Sequence, residues 1–155
     1  MAQAQFKDTA AELVVGGVTR QHVHRRVADW RTRIQAVYNL IRSALDARYE
    51  FKNGEPVEMH EDLMREFGLA AESLPSLSVL MPETGKRIGE AYPRGLWIIG
   101  ANGRIDFDTP AGLYVLVDRA DIFGRPDWQM APVRDRRDLQ PVSKEAIASL
   151  FQEKV

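Results

Sequence analysis

Arg94-Gly-Leu-Trp-Ile-Ile-Gly-Ala-Asn-Gly-Arg-Ile-Asp-Phe-Asp-Thr-Pro-Ala-Gly-Leu-Tyr-Val-Leu-Val-Asp118, followed by Trp128-Gln-Met-Ala-Pro-Val133, decides the fold class of this chain. Asn102-Gly103 stands between two runs rich in β-branched and aromatic residues. That is a strong hairpin signal, because both central residues of a tight two-residue turn need φ > 0. Such a turn sets Trp97 opposite Asp108, Ile98 opposite Phe107 and Ile99 opposite Asp106. A three-residue loop at Pro110-Ala111-Gly112 then sets Asp108 against Tyr114 and Phe107 against Val115.

Side chains alternate between the faces of a strand. In this register Leu96, Ile98, Ile105, Phe107, Leu113, Val115 and Val117 share the core face. Trp97, Ile99, Arg104, Asp106, Asp108, Tyr114, Leu116 and Asp118 share the other. Rings beside carboxylates suit a ligand that stacks and donates hydrogen bonds, which makes Trp97, Asp106, Asp108 and Tyr114 the candidate ligand-binding residues. The plainer reading is an antiparallel sheet with one half-wet side.

Outward from this meander, the longest periodic element lies upstream. Val23, Val27, Trp30, Ile34, Val37, Ile41 and Leu45 recur in steps of three and four, which is helical spacing. Thr19 is its expected N-cap, and a helix over 19–48 would be about 45 Å long. A stripe of that length exceeds what one small sheet covers, so self-association through the helix is expected. A short helix is expected over 6–15, a turn over 50–56 around Asn53-Gly54, and a helix over 57–67 ended by Gly68. Strands are expected at 77–81, 95–101, 104–109, 113–118 and 128–133, with Pro132 making the last an edge. Ser143 should cap a closing helix that carries Ile147, Leu150 and Phe151. The reading is one α+β domain over 1–155: a four- to five-stranded antiparallel meander, a long amphipathic helix on one face, and two to three short helices.

Composition narrows function without naming it. The 155 residues are 45% hydrophobic and 28% charged, ordinary for a globular protein. There is no cysteine, which removes disulfides, thiol catalysis and thiolate zinc sites and fits a reducing cytoplasm. No run approaches a membrane span, and Met1–Lys7 lacks a basic start followed by an apolar core, so no signal peptide is expected there. Net charge is −1, yet residues 20–48 hold seven arginines against Asp29 and Asp46. Arginine binds phosphate through two parallel hydrogen bonds, so Arg25, Arg26, Arg31, Arg33 and Arg94 are the candidate anion- or nucleic-acid-binding residues. Equally, the basic helix can lie against the acidic remainder of its own fold.

Recognisable catalytic patterns fail one by one. Thr84-Gly85-Lys86-Arg87 lacks the spacing of a phosphate loop. Gly100-Ala-Asn-Gly103 belongs to a hairpin signal, not to a strand–helix turn. His22 and His24 point to different sides of a helix, and His60-Glu61-Asp62 lacks a second histidine for zinc. Asp106, Asp108, Asp118 and Asp121 are hard-cation ligands by type and keep a carboxylate–metal enzyme open as an alternative. Tyr38-Asn39, Leu77–Pro82, Tyr92-Pro-Arg94 and Asp108-Thr-Pro-Ala-Gly-Leu113 faintly resemble bacterial STING-type cyclic-dinucleotide receptors, a resemblance that would place Tyr38, Arg94 and Asp108 on a ligand. It covers scattered tripeptides only. The 82–96 stretch is too short for that family's helix, and the chain is not assigned to it. The expected function is a non-catalytic binding or regulatory module acting through protein contacts, a homodimer joined by the 19–48 helix, with no cofactor, no bound metal and no membrane. A nucleotide or nucleic-acid binder is the second reading.

Overall fold

Thr19 does what its sequence position predicts. Its Oγ1 accepts the backbone N–H of His22 at 3.2 Å and starts helix α1, Arg20–Leu45. The computed structural model describes residues 14–152 except residue 16. The helix expected over 6–15 lies outside these residues but for its last two, Val14–Val15, which form strand β1 against β2, Val18–Thr19. At 26 residues α1 is about 39 Å long, and every apolar position of its predicted stripe is buried. A turn of 3-10 helix, Asp46–Arg48, ends it.

The chain then builds more sheet than expected. Strands β3 (Glu50–Asn53), β6 (Leu77–Leu80), β7 (Arg87–Gly95), β8 (Arg104–Thr109), β9 (Gly112–Asp118), β10 (Trp128–Pro132) and β11 (Gln140–Pro141) form one antiparallel sheet of seven strands, in the order β11-β10-β9-β8-β7-β6-β3. A two-stranded ribbon of β4 (Val57–Met59) and β5 (Glu72–Leu74) flanks the short helix α2 (Asp62–Glu66). Helix α3, Lys144–Ser149, is capped by Ser143, whose Oγ accepts from Ala146 N. The α+β class, antiparallel sheet and long helix stand. The count of four to five strands is corrected to seven, because the expected turn at 50–56 begins with a strand, β3, and β11 pairs with β10.

Two register expectations are overturned. Residues 95–101 are not a strand, and Asn102-Gly103 is not a hairpin turn. The partner of β8 is β7, with Glu90 opposite Asp108, Ala91 opposite Phe107 and Tyr92 opposite Asp106. A bulge between Pro93 and Gly95 lets a proline sit inside the sheet. Downstream, Thr109 pairs with Gly112 around a two-residue turn, not a three-residue loop. Thr109 Oγ1 closes that turn, donating to Gly112 O and accepting from Ala111 N, while Gly112 takes φ 123°. A slip of one residue turns over every side chain of β9.

The helix-facing rows are therefore Leu77–Ala91–Phe107–Tyr114–Pro132 and Pro93–Ile105–Leu116–Met130. Helix α1 covers them together with α3. Phe151, just past α3, rests on Phe107 at 5.7 Å, and a Cβ at Gly89 would fall 2.8 Å from its ring. The stripe from which self-association through the helix was expected is thus satisfied within the chain. Burying side chains of this size contributes roughly 1.5–3 kcal/mol each.

Candidate functional site

The sheet face turned away from α1 carries rows Ser78–Glu90–Asp108–Leu113 and Tyr92–Asp106–Val115–Ala131. Of the four predicted ligand-binding residues, only Asp106 and Asp108 lie there. Tyr114 is on the opposite, helix-facing side, and Trp97 is in the loop between β7 and β8. Asp106 is 4% exposed and already neutralised, with Arg104 Nε at 2.8 Å and Arg94 Nε at 3.5 Å. Tyr92, beside it, has its phenol pKa pushed up by burial and by the Asp106 charge. Asp108 is exposed, directly across from Glu90. Among the described residues no group of three or more histidine, aspartate or glutamate side chains is placed to hold a metal ion. Tyr38 is buried, its hydroxyl donating to Pro75 O at 2.7 Å, on the other side of the sheet from Arg94 and Asp108.

The arginines of α1 are mostly bound within the chain. Arg31 meets Glu72 at 2.6 Å, Arg20 donates to Phe67 O, and Arg25 stacks on Phe123 at 4.3 Å. Arg33, 3% exposed, donates to Asp29 and to Asp118, both at 2.6 Å, and to the carbonyl of Gly124. Those carboxylates raise its pKa against the opposing effect of burial, which is the largest single influence. Asp118, fully buried, also accepts from the backbone N–H groups of Ala120 and Asp127. One ion pair thereby fixes loop 119–127 to the helix. Phe123 in that loop has φ 60°, rare for a non-glycine residue, and its ring is held by Arg25 and His22.

Arg26 lies two turns earlier and differs in every respect but burial. It is 7% exposed, its Nη2 donates to Asn102 Oδ1 at 2.6 Å, and its guanidinium stacks on Trp97 at 5.4 Å. No carboxylate among the described residues stands within ion-pair distance of it. Burial lowers its pKa, and Asp29 and Glu61 oppose that from farther away. Both are engaged elsewhere, Asp29 by Arg33 and Glu61 by the backbone N–H groups of Leu96 and Trp97.

Loop 96–103 is built for this arrangement. The Glu61 carboxylate takes the amides at its start, and Asn102 N donates to Asp118 O at 2.6 Å at its end. Gly103, φ 109°, lies flat on Trp30, where a Cβ would fall 2.6 Å from Cη2. Three buried side-chain nitrogens among the described residues have no hydrogen-bond partner: Trp30 Nε1, Trp128 Nε1 and Asn102 Nδ2. All are donors and all belong to this region, since the two indoles stack at 6.1 Å beside Gly103. An unpaired buried donor costs about 1–3 kcal/mol.

Between loops 96–103 and 119–127 runs an open groove of about 510 Å³. Arg26 and Asn102 line it together with Arg119 and Asp121, and Ile98 and Ile122 supply its apolar walls. Ile99 is fully exposed at 103% and Ile122 is 49% exposed, which makes these loops an apolar patch with charge of both signs. Sequence reasoning nominated Arg26 but missed Asn102 as a site residue and missed Arg119 and Ile122. The usable signal was the Trp-Ile-Ile run, too apolar for a loop unless it contacts something. Compared with protein families, curated proteins and solved structures, the chain matches none.

Proposed function

We propose that this chain is a non-catalytic binding module that acts through protein–protein contacts, self-associating by the paired loops 96–103 and 119–127. The observation that carries this reading is the exposure of Ile99 and Ile122 on loops anchored by the Arg33–Asp118 pair. Exposed apolar side chains on a fixed backbone bind at little cost in ordering. A second copy is the partner whose chemistry fits, because the patch carries Arg119 and Asp121 side by side with its isoleucines. A two-fold interface places a patch against itself and so favours one that holds both charges. The contact surface lies on these loops and not on α1, whose apolar stripe is buried within the chain.

Light scattering on purified protein tests this. The wild type is expected to run as a dimer, and the Ile99→Asp/Ile122→Asp double variant as a folded monomer. A wild type that stays monomeric at every concentration, or a double variant that stays dimeric, overturns the reading.

A further inference from the structure

We infer that the groove between loops 96–103 and 119–127 is an oxyanion site, in which Arg26 and Asn102 receive a carboxylate or phosphate group with Arg119 at the rim. Two independent observations converge on it. First, Arg26 is a buried cation whose one side-chain hydrogen-bond acceptor among the described residues is the neutral Oδ1 of Asn102. A guanidinium offers five N–H donors in a planar fork, a shape that fits two oxygens of a carboxylate or phosphate. Second, Asn102 is 2% exposed, lines the same groove and has an amide nitrogen with no partner among the described residues. Both groups present donors, and Arg119 adds a second positive charge. The walls made by Ile98 and Ile122 favour an anion attached to an apolar body over a bare, strongly hydrated ion.

Neighbouring charge does not compete for the position. Asp29 and Glu61 are held by Arg33 and by the amides of loop 96–103. Asp121, on the rim, is exposed and in no ion pair among the described residues. It selects against ligands carrying negative charge along their whole length. The site goes beyond the self-association described above and stands without it.

The test is a nuclear magnetic resonance titration at constant ionic strength, with inorganic phosphate and butyrate as probes and chloride as control. The Arg26 Nε–H and the Asn102 side-chain amide are followed. Saturable shifts of both groups are expected with phosphate and butyrate and not with chloride. Asn102→Asp places a carboxylate on Arg26 while keeping the oxygen that accepts from it, so the variant folds and its affinity for both probes falls at least tenfold. Arg26→Gln is expected to abolish binding. Shifts that follow ionic strength without saturating, or saturable binding that survives Asn102→Asp, overturn the inference. Light scattering with phosphate identifies the source of the natural oxyanion. Dissociation of dimers means that the second copy's carboxylate occupies the site, and dimers unchanged by phosphate mean a free anion. Self-association lost in the isoleucine variant but no saturable titration leaves the loop interface standing and removes this site alone.

Discussion

Arg26 and Arg33 sit on one face of one helix, both buried, and their surroundings are opposites. Around Arg33 two carboxylates and a carbonyl take the guanidinium, and the same Asp118 collects two backbone amides of the following loop. Around Arg26 the partners are an amide oxygen and an indole face, with unpaired donors nearby. The first is a closed account of charge and hydrogen bonds; the second is open on the side of the groove. Burial of a cation is tolerated when the protein supplies its counter-charge; where the protein supplies only orientation, the cation is a candidate for binding a ligand.

The comparison breaks most visibly at Asp118. Asp118→Ala leaves Arg33 buried with Asp29 as its one remaining carboxylate and frees two loop amides, so urea unfolding should show a loss of about 3–5 kcal/mol. Gly103→Ala pushes a methyl group into Trp30 at a positive φ and should cost about 2–3 kcal/mol, with a change in tryptophan fluorescence as loop 96–103 lifts. Asn102→Asp makes the surroundings of Arg26 resemble those of Arg33, and a gain of about 1 kcal/mol in the same unfolding measurement is expected. Arg31→Ala sets the baseline for a half-buried arginine: its pair with Glu72 is open to solvent, and the change should stay below about 1 kcal/mol and shrink in high salt.

What could be read from the sequence was what local spacing encodes. The three-and-four rhythm of α1, its Thr19 cap, the strand at 104–109 and the Ser143 cap all follow from residues within a turn or two of one another. Contacts between distant segments were illegible. Trp97-Ile98-Ile99 reads as a strand by composition, but Glu61, more than thirty residues upstream, takes the amides of Leu96 and Trp97 and folds the segment into a loop. The true strand, Arg87–Gly95, hid behind Gly89, Pro93 and Gly95. Gly89 lies bare beneath Phe151, and the other two flank the bulge. Because register sets faces, the same error dispersed the expected row of Trp97, Asp108 and Tyr114 across the loop and both sides of the sheet. Arg26 was nominated from composition alone, and nothing in the sequence separated it from Arg33, whose counter-charge Asp118 lies 85 positions away.

The margins of the seven-stranded sheet carry a consequence for how copies of this chain meet. At one margin β11 is two residues long and ends in Pro141, which has no N–H to offer. At the other, β3 is four residues with Glu50 and Lys52 among them. Short borders with proline and charge resist strand-by-strand stacking into fibrils. Concentrated solutions of this protein should therefore stay clear of cross-β aggregates while the fold holds.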